Sequence, residues 1–256
     1  MSDATIRLAI TIGLLGLFVG LEHLVPARAN VLDLRRFSRH VGMTLLSSAV
    51  ARLALAGGLA GIATFARDQG VGLFNVLALP IWIAIGISFL VLDLSIWGQH
   101  LIMHKVPILW RLHRVHHSDI AMDVSTALRF HPAEILVSLA YKAAIVIGLG
   151  APPVAVFVFE IVLGAGALFT HANITLPPWL ERYLRILFVT PALHLIHHSP
   201  DPLETNSNYG FSFNIWDRVF GTYRGTRLEQ DGPIGLENWR TNGDQKLMAL
   251  LSNPIK

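Results

Sequence analysis

Charged side chains are missing from long stretches of this chain, and those stretches set the terms for any fold. Leu8 to Leu21 holds none, Gln69 to Leu92 holds none, and Val41 to Phe65 holds only Arg52. Residues 133–149 enclose Lys142, and Val154 to Ile174 enclose Glu160. A hydrocarbon core about 30 Å thick is crossed by about 20 apolar residues in helical form, so each stretch has the length of a span. The pattern predicts spans over about residues 4–24, 41–65, Pro80 to Gln99, 133–149 and 154–174. A short interfacial piece precedes Pro80, and Ala151-Pro152-Pro153 makes the tight turn between the last two spans. Composition agrees: 14% of the residues are charged and 53% hydrophobic, against about 25% charged in ordinary soluble domains. So little charge could not cover a soluble globule, and it is the reverse of what disorder requires.

Arginines orient the bundle. Residues 26–40 carry Arg28, Arg35, Arg36 and Arg39 against Asp33, which predicts a cytoplasmic loop. Residues 66–70 and 151–153 have no net charge, so the amino terminus is expected outside and everything after Thr175 inside. Lys105, Arg111 and Arg114 then fall on the cytoplasmic side. The first stretch lacks a basic leader and a small-residue cleavage site, so a signal peptide is not expected. The expected fold is all-α: an integral membrane helical bundle of about five spans with a cytoplasmic, histidine-rich cap. That cap takes in about residues 100–131 and 175–256.

Ten of the twelve histidines lie between His100 and His198. His100 and His104 are four apart. His113, His116 and His117 form HxxHH, and His194, His197 and His198 repeat it. Helical positions three and four apart share a face, so such spacing lets two or three imidazoles reach one ion. With His171, at the foot of the fifth span, the set numbers nine, too many for one ion and natural for two. The topology returns all nine to one membrane face. Imidazole suits iron, zinc, copper and nickel alike. The absence of cysteine excludes disulfides, thiolate zinc, iron–sulfur clusters and thiolate catalysis. A net charge of only +3 gives no case for nucleic acid.

A single HxxHH is often just a polar helix face, but two copies plus HxxxH on one side of a membrane are not explained that way. A bis-imidazole haem site would call for isolated histidines deep in facing spans. A metal transporter would need ligands along the spans, whereas the first two carry only Arg52. A structural scaffold leaves the repeated spacing unexplained.

HLIMH (100–104), HRVHH (113–117), RFHPAE (129–134), FTHANI (169–174), TPALHLIHH (190–198) and NYGFSFNIWDRVFGT (208–222) together resemble the membrane fatty acid hydroxylase/sterol desaturase superfamily. The resemblance covers about residues 85–225 in order, spacing and flanking words; the first 80 residues match only in being hydrophobic. It implies a division into an N-terminal transmembrane region (1–84), a catalytic domain (85–225) and a cytoplasmic tail (226–256). It implies an integral membrane enzyme with a histidine-ligated di-iron centre that uses O2 to hydroxylate or desaturate a lipid of fatty acyl, alkyl or sterol-like type. Carried over position by position, the ligands would be His100, His104, His113, His116, His117, His171, His194, His197 and His198, holding two irons. Some relatives place another histidine where this chain has Ala167, which leaves water or His131 to complete one iron.

Three further residues are candidates for the metal or its surroundings. His131 precedes Pro132, a residue suited to open the fourth span. Asp93 shares a stripe with Trp97, His100 and His104 but lies about 10 Å from His100 along the axis; it is expected to orient a neighbour from another helix. Asn173 is either a cap or a ligand. Arg52, Lys142 and Glu160 read as interhelical salt bridges or as the polar rim of a lipid cavity. Gly164-Ala165-Gly166-Ala167 allows close packing or leaves room for an acyl chain. His23 and His40 are expected to be interfacial bystanders. Without cysteine or a GxGxxG fingerprint, electrons are expected from an external donor, a ferredoxin or a b-type cytochrome with its reductase, docking near Lys105, Arg111 and Arg114. The expected location is a bacterial-type inner membrane.

Overall fold

The computed structural model describes residues 3–29, 33–77 and 79–256. Helix α1 (Asp3–Leu24) ends two residues before Pro26. Helix α2 (Leu34–Ala54) starts at Asp33, whose carboxylate accepts the Arg35 N–H at 2.8 Å, a favoured N-terminal cap. The second span departs from expectation: it is not one helix over 41–65. Leu55 turns extended, and Gly58 takes a φ of +61°, a conformation that suits glycine. A new helix, α3 (Gly58–Asp68), begins there, followed by the single turn α4 (Leu73–Leu77).

Helix α5 (Ile81–Lys105) follows Pro80, and α6 (Pro107–His117) opens on its own proline. After a 3-10 turn at Val124–Leu128 come α7 (Pro132–Leu149) and α8 (Pro153–His171). Both start on a proline, whose missing N–H is not needed in a first turn. The remaining helices are short: α9 (Pro178–Leu184), α10 (Pro191–His197), α11 (Pro202–Thr205), α12 (Ile215–Val219) and α13 (Leu247–Ser252). Five segments are long and apolar enough to cross a membrane, the broken second one included, and no strand occurs among the described residues. The chain is an all-α membrane bundle.

Helix α8 packs on α1, α3 and α5, and α7 packs on α2, α3 and α5. Leu59 and Ala63 of α3, Leu92 and Ile96 of α5, Val146 of α7 and Phe159 of α8 fill the core between them. At one end the turn after α3 meets the turn after α7 so closely that a Cβ on Gly72 would fall 2.2 Å from the Gly150 nitrogen. At the other end lie the last turns of α1, α5 and α8 and the first turns of α2 and α7, with the cap built over them. The chain ties these ends with backbone bonds, Thr175 N–H to Val25 O at 2.8 Å and Ala27 N–H to Asn173 O at 3.1 Å.

The tail folds back over the cap. Gly235 N–H reaches His198 O at 3.0 Å, Gln245 donates to Ser118 O at 2.9 Å, and Asn253 accepts from Arg114 at 2.8 Å. Leu250 is buried with Met43 and Val115.

Candidate metal centre

The nine histidines of the three boxes and α8 come together as two groups. His100, His104, His113, His117 and His197 form one; His116, His171, His194 and His198 form the other. Within each group the candidate ligand nitrogens lie within 4.8 Å of one another. Each HxxHH motif is divided between the groups, in opposite senses. His113 and His117 join the first while His116 joins the second; His194 and His198 join the second while His197 joins the first. Helix geometry explains the split: at about 100° per residue, neighbours such as His116 and His117 point a quarter-turn apart. Each motif therefore straddles two positions rather than supplying three ligands to one.

Hydrogen bonds fix which ring nitrogen faces inward. His100 Nδ1 donates to Tyr209 O at 2.8 Å, His197 Nδ1 to Ser207 O at 2.7 Å, and His171 Nδ1 to Ala167 O at 2.7 Å. His113 Nδ1 donates to Glu134 Oε1 at 2.6 Å. A carbonyl or carboxylate oxygen stands at each of these four nitrogens, so each Nδ1 carries a proton and the neutral ring presents its lone pair at Nε2. Those Nε2 atoms converge: His100 lies 3.0 Å from both His113 and His197, and His171 lies 3.0 Å from both His116 and His194. Lone pairs aimed at one another at that distance within the first group repel unless a cation lies between them. His104 Nε2 and both nitrogens of His117 have no partner although buried. Burial is the main cause that holds His116, His117, His194 and His198 well below the ordinary imidazole pKa, and it brings His197 down to about 3. Burial thus favours the neutral form of these five imidazoles, the form that binds metal. All-nitrogen groups of five and four, largely buried and without a carboxylate among their own members, fit two divalent ions.

A second layer holds this arrangement. Asp217 accepts from Trp97 Nε1 at 3.0 Å and from the Tyr209 and Gly210 N–H groups at 2.8 Å each. It thereby fixes the loop whose carbonyls orient His100 and His197. Arg36 pairs with Asp119 through two nitrogens at 2.8 and 2.7 Å, and with Asp123. Burial would raise the Asp119 pKa, but the Arg36 and Arg129 guanidiniums outweigh it and hold the carboxyl well below the usual range. This cluster pins the segment after α6. His40 belongs to it, fully buried, with Nδ1 2.9 Å from Ser125 Oγ. It is not the interfacial bystander that its isolation in the sequence suggested.

The three second-tier candidates lie outside both groups. His131 caps α7: its Nδ1 accepts from Ala133 N–H at 3.1 Å, and its Nε2 faces Leu251 O at 3.2 Å. Asp93 does orient a neighbour, but an indole rather than an imidazole, accepting from Trp216 Nε1 at 2.7 Å. Asn173 exchanges two hydrogen bonds with the Arg28 backbone, at 3.0 and 2.9 Å. Sequence reasoning missed Glu134, Asp217 and the orienting carbonyls. Both acids stood inside the quoted words RFHPAE and NIWDR, so the signal was present without a role attached.

A cavity of about 240 Å³ opens directly beside the first group, lined by His100, His113, Met103, Phe130, Leu163 and Phe211 among others. Gly164 and Ala167 leave the room for it on the α8 side, and Lys142 and Glu160 close its far end. Glu160 is bonded to Arg7 of α1, so the salt-bridge and cavity-rim readings of Glu160 both hold.

A family model described as fatty acid hydroxylase matches residues 85–222. Ornithine lipid hydroxylase OlsE of Rhizobium tropici is 30% identical over 177 residues, 69% of this chain and 51% of that protein. Alkylglycerol monooxygenase of Homo sapiens is 29% identical over 143 residues, 53% of this chain and 29% of that protein. Cholesterol 25-hydroxylase of Rattus norvegicus is 28% identical over 162 residues, 62% of this chain and 53% of that protein. The chain thus spans about half or less of the length of these curated relatives. No solved structure matches it significantly.

Proposed function

The chain belongs to the fatty acid hydroxylase family, and on that footing we propose that it is an O2-dependent enzyme that hydroxylates a membrane lipid at two irons held by its nine histidines. The observation that carries this reading is the inward convergence of Nε2 lone pairs from His100, His113 and His197, each ring locked by an acceptor at Nδ1. Bound iron would supply the redox chemistry that lets O2 react with an unactivated C–H bond. His100, His104, His113, His117 and His197 would hold one ion, and His116, His171, His194 and His198 the other.

The rest is done by this chain's own groups. Glu134 and the carbonyls of Ala167, Ser207 and Tyr209 set the tautomers and raise the basicity of the rings they touch. The apolar cavity beside His100 and His113 accepts an alkyl chain laterally and keeps water from the reacting carbon. The relatives act, by their names, on ornithine lipid, alkylglycerol and cholesterol, and a lipid of this broad kind is the substrate class we assign. Residues 85–225 would form the catalytic unit, with 1–84 as membrane scaffold and 226–256 as the covering tail.

Electrons would come from an external donor on the cytoplasmic face of a bacterial-type inner membrane. Lys105 and Arg111 are exposed there for docking. Arg114 is less free, since it is committed to Asn253 and stacks over Trp239 at 5.0 Å. Turnover of purified protein with a reductant, candidate lipids and 18O2 tests the activity. Label in a hydroxyl group of the product is the expected result, and an unlabelled alkene would mean desaturation instead.

A further inference from the structure

The far end of the cavity holds a charge that no group of the fold bonds, although Glu160 lies near enough to act on it. Lys142 lines it, yet Lys142 makes no hydrogen bond and no ion pair with any described residue. The acid whose charge reaches it, Glu160, is already bonded to Arg7, and the other carboxylate on the cavity wall, Glu134, is engaged by His113. Lys142 lies ten residues after Pro132 at the capped end of α7, so its backbone stands about 15 Å along an 18-residue helix, near the middle of the span. A charge at that depth is costly unless it is paired. Leu, Met or Gln would fill the position without that cost.

The polar groups of this wall are ordered along one face of α7. Glu134, Ser138 and Lys142 follow at intervals of four, with Ser138 bonded to Gln99 at 3.2 Å. Glu134 and Ser138 have partners in the protein, and Lys142 is the member without one. Between Glu134, at the metal end, and Lys142 lie about 12 Å of helix. Apart from the bonded pair Ser138 and Gln99, the walls in that interval are apolar: Ile96, Met103, Ile135, Leu163 and Phe211. At about 240 Å³ the cavity lies below the roughly 300–1,000 Å³ of ordinary ligand pockets, which suits one alkyl chain rather than a two-chain lipid.

We propose that Lys142 is a binding subsite for the anionic end of a single-chain amphiphile, a carboxylate or a phosphate monoester, whose alkyl part fills the cavity up to His100 and His113. The proposal rests on reading the centre as a lipid oxygenase, and it adds an orientation: the oxidised carbon lies well down the chain from the anchored end group. The ion pair between ligand and Lys142 replaces the partner that the fold withholds, and a neutral chain of equal length leaves the ammonium unpaired.

The test is equilibrium binding to the full-length protein in detergent, with radiolabelled palmitate, hexadecyl phosphate, hexadecanol and methyl palmitate as probes. Wild type is expected to bind one or both anions at least tenfold more tightly than the alcohol and the ester. Lys142→Met should lose that preference while still binding methyl palmitate, and Lys142→Arg should retain it. Preference for palmitate or for hexadecyl phosphate tells carboxylate from phosphate. Equal preference in wild type and Lys142→Met overturns the proposal. If Lys142→Met does not fold, the wild-type comparison decides alone, and equal affinity for anions and neutral probes overturns it. Binding is read without turnover, so a Lys142-dependent preference in a protein that oxidises no lipid would separate failure of the oxygenase reading from failure of this one.

Discussion

The Nε2 atoms of His100 and His113 stand 3.0 Å apart, in rings whose Nδ1 hydrogens are both engaged elsewhere. Tyr209 O takes the Nδ1 hydrogen of one ring and Glu134 that of the other. Two buried lone pairs held face to face by their own supports are a binding site made in advance.

Glu134 is therefore predicted to matter for metal although it lies outside the two ligand groups. Glu134→Ala should weaken metal binding about 10- to 100-fold, the usual effect of removing such a partner. Glu134→Gln keeps an acceptor for His113 and should lose less. Metal titration, with circular dichroism as the control for folding, gives the ratio.

Asp217 is the keystone of the loop behind His100 and His197. Asp217→Ala leaves the N–H groups of Trp97, Tyr209 and Gly210 without their acceptor. Each buried donor left unpaired costs about 1–3 kcal/mol, so several kcal/mol of stability should go. Thermal unfolding in detergent measures it, and metal retention should fall in parallel. Unchanged stability would mean the loop is held by other contacts.

Gly164 separates cavity from fold. A Cβ there meets nothing within 4 Å, yet the residue lines the space beside His100 and His113. Gly164→Leu should retain metal and helicity while lowering kcat/KM by tenfold or more, because the added side chain occupies the place of substrate. Gly72→Ala is the contrasting case. Its φ of +103° and the 2.2 Å approach to Gly150 leave no room for a Cβ, so expression and stability should collapse.

Much of this was legible in the residues, for physical reasons that differ from element to element. The spans were readable because a bilayer excludes charge over a fixed length. The one misread, the second span, failed because Ala56-Gly57-Gly58 is as apolar as its flanks: hydropathy does not register a helix break that Gly58 makes with its φ of +61°. The nine histidines were readable because their spacing is local. Their sorting into groups of five and four was not, since it depends on how α6 and α10 are rotated against each other. His40 and Arg36 show the limit most clearly. Their buried partner Asp119 lies about eighty residues away in sequence. Arg36, counted among the positive charges that orient the loop, is 9% exposed and spends its charge inside the cap.

Orientation can be measured directly, because a chain without cysteine accepts single reporter cysteines cleanly. Cysteine placed at Gly70 should react with an impermeant maleimide from outside intact cells, and cysteine at Lys105 only after the cells are opened. The reverse pattern would place the histidine groups on the outer face and remove the proposed cytoplasmic donor.

The metal content of the full-length protein tests the central claim most directly. Protein purified from iron-replete cells and assayed by mass spectrometry should contain two irons per chain. His113→Ala and His194→Ala, one from each group, should each lower that number while the helices stay folded. One ion per chain, or stoichiometric zinc in a fully active preparation, would contradict the account.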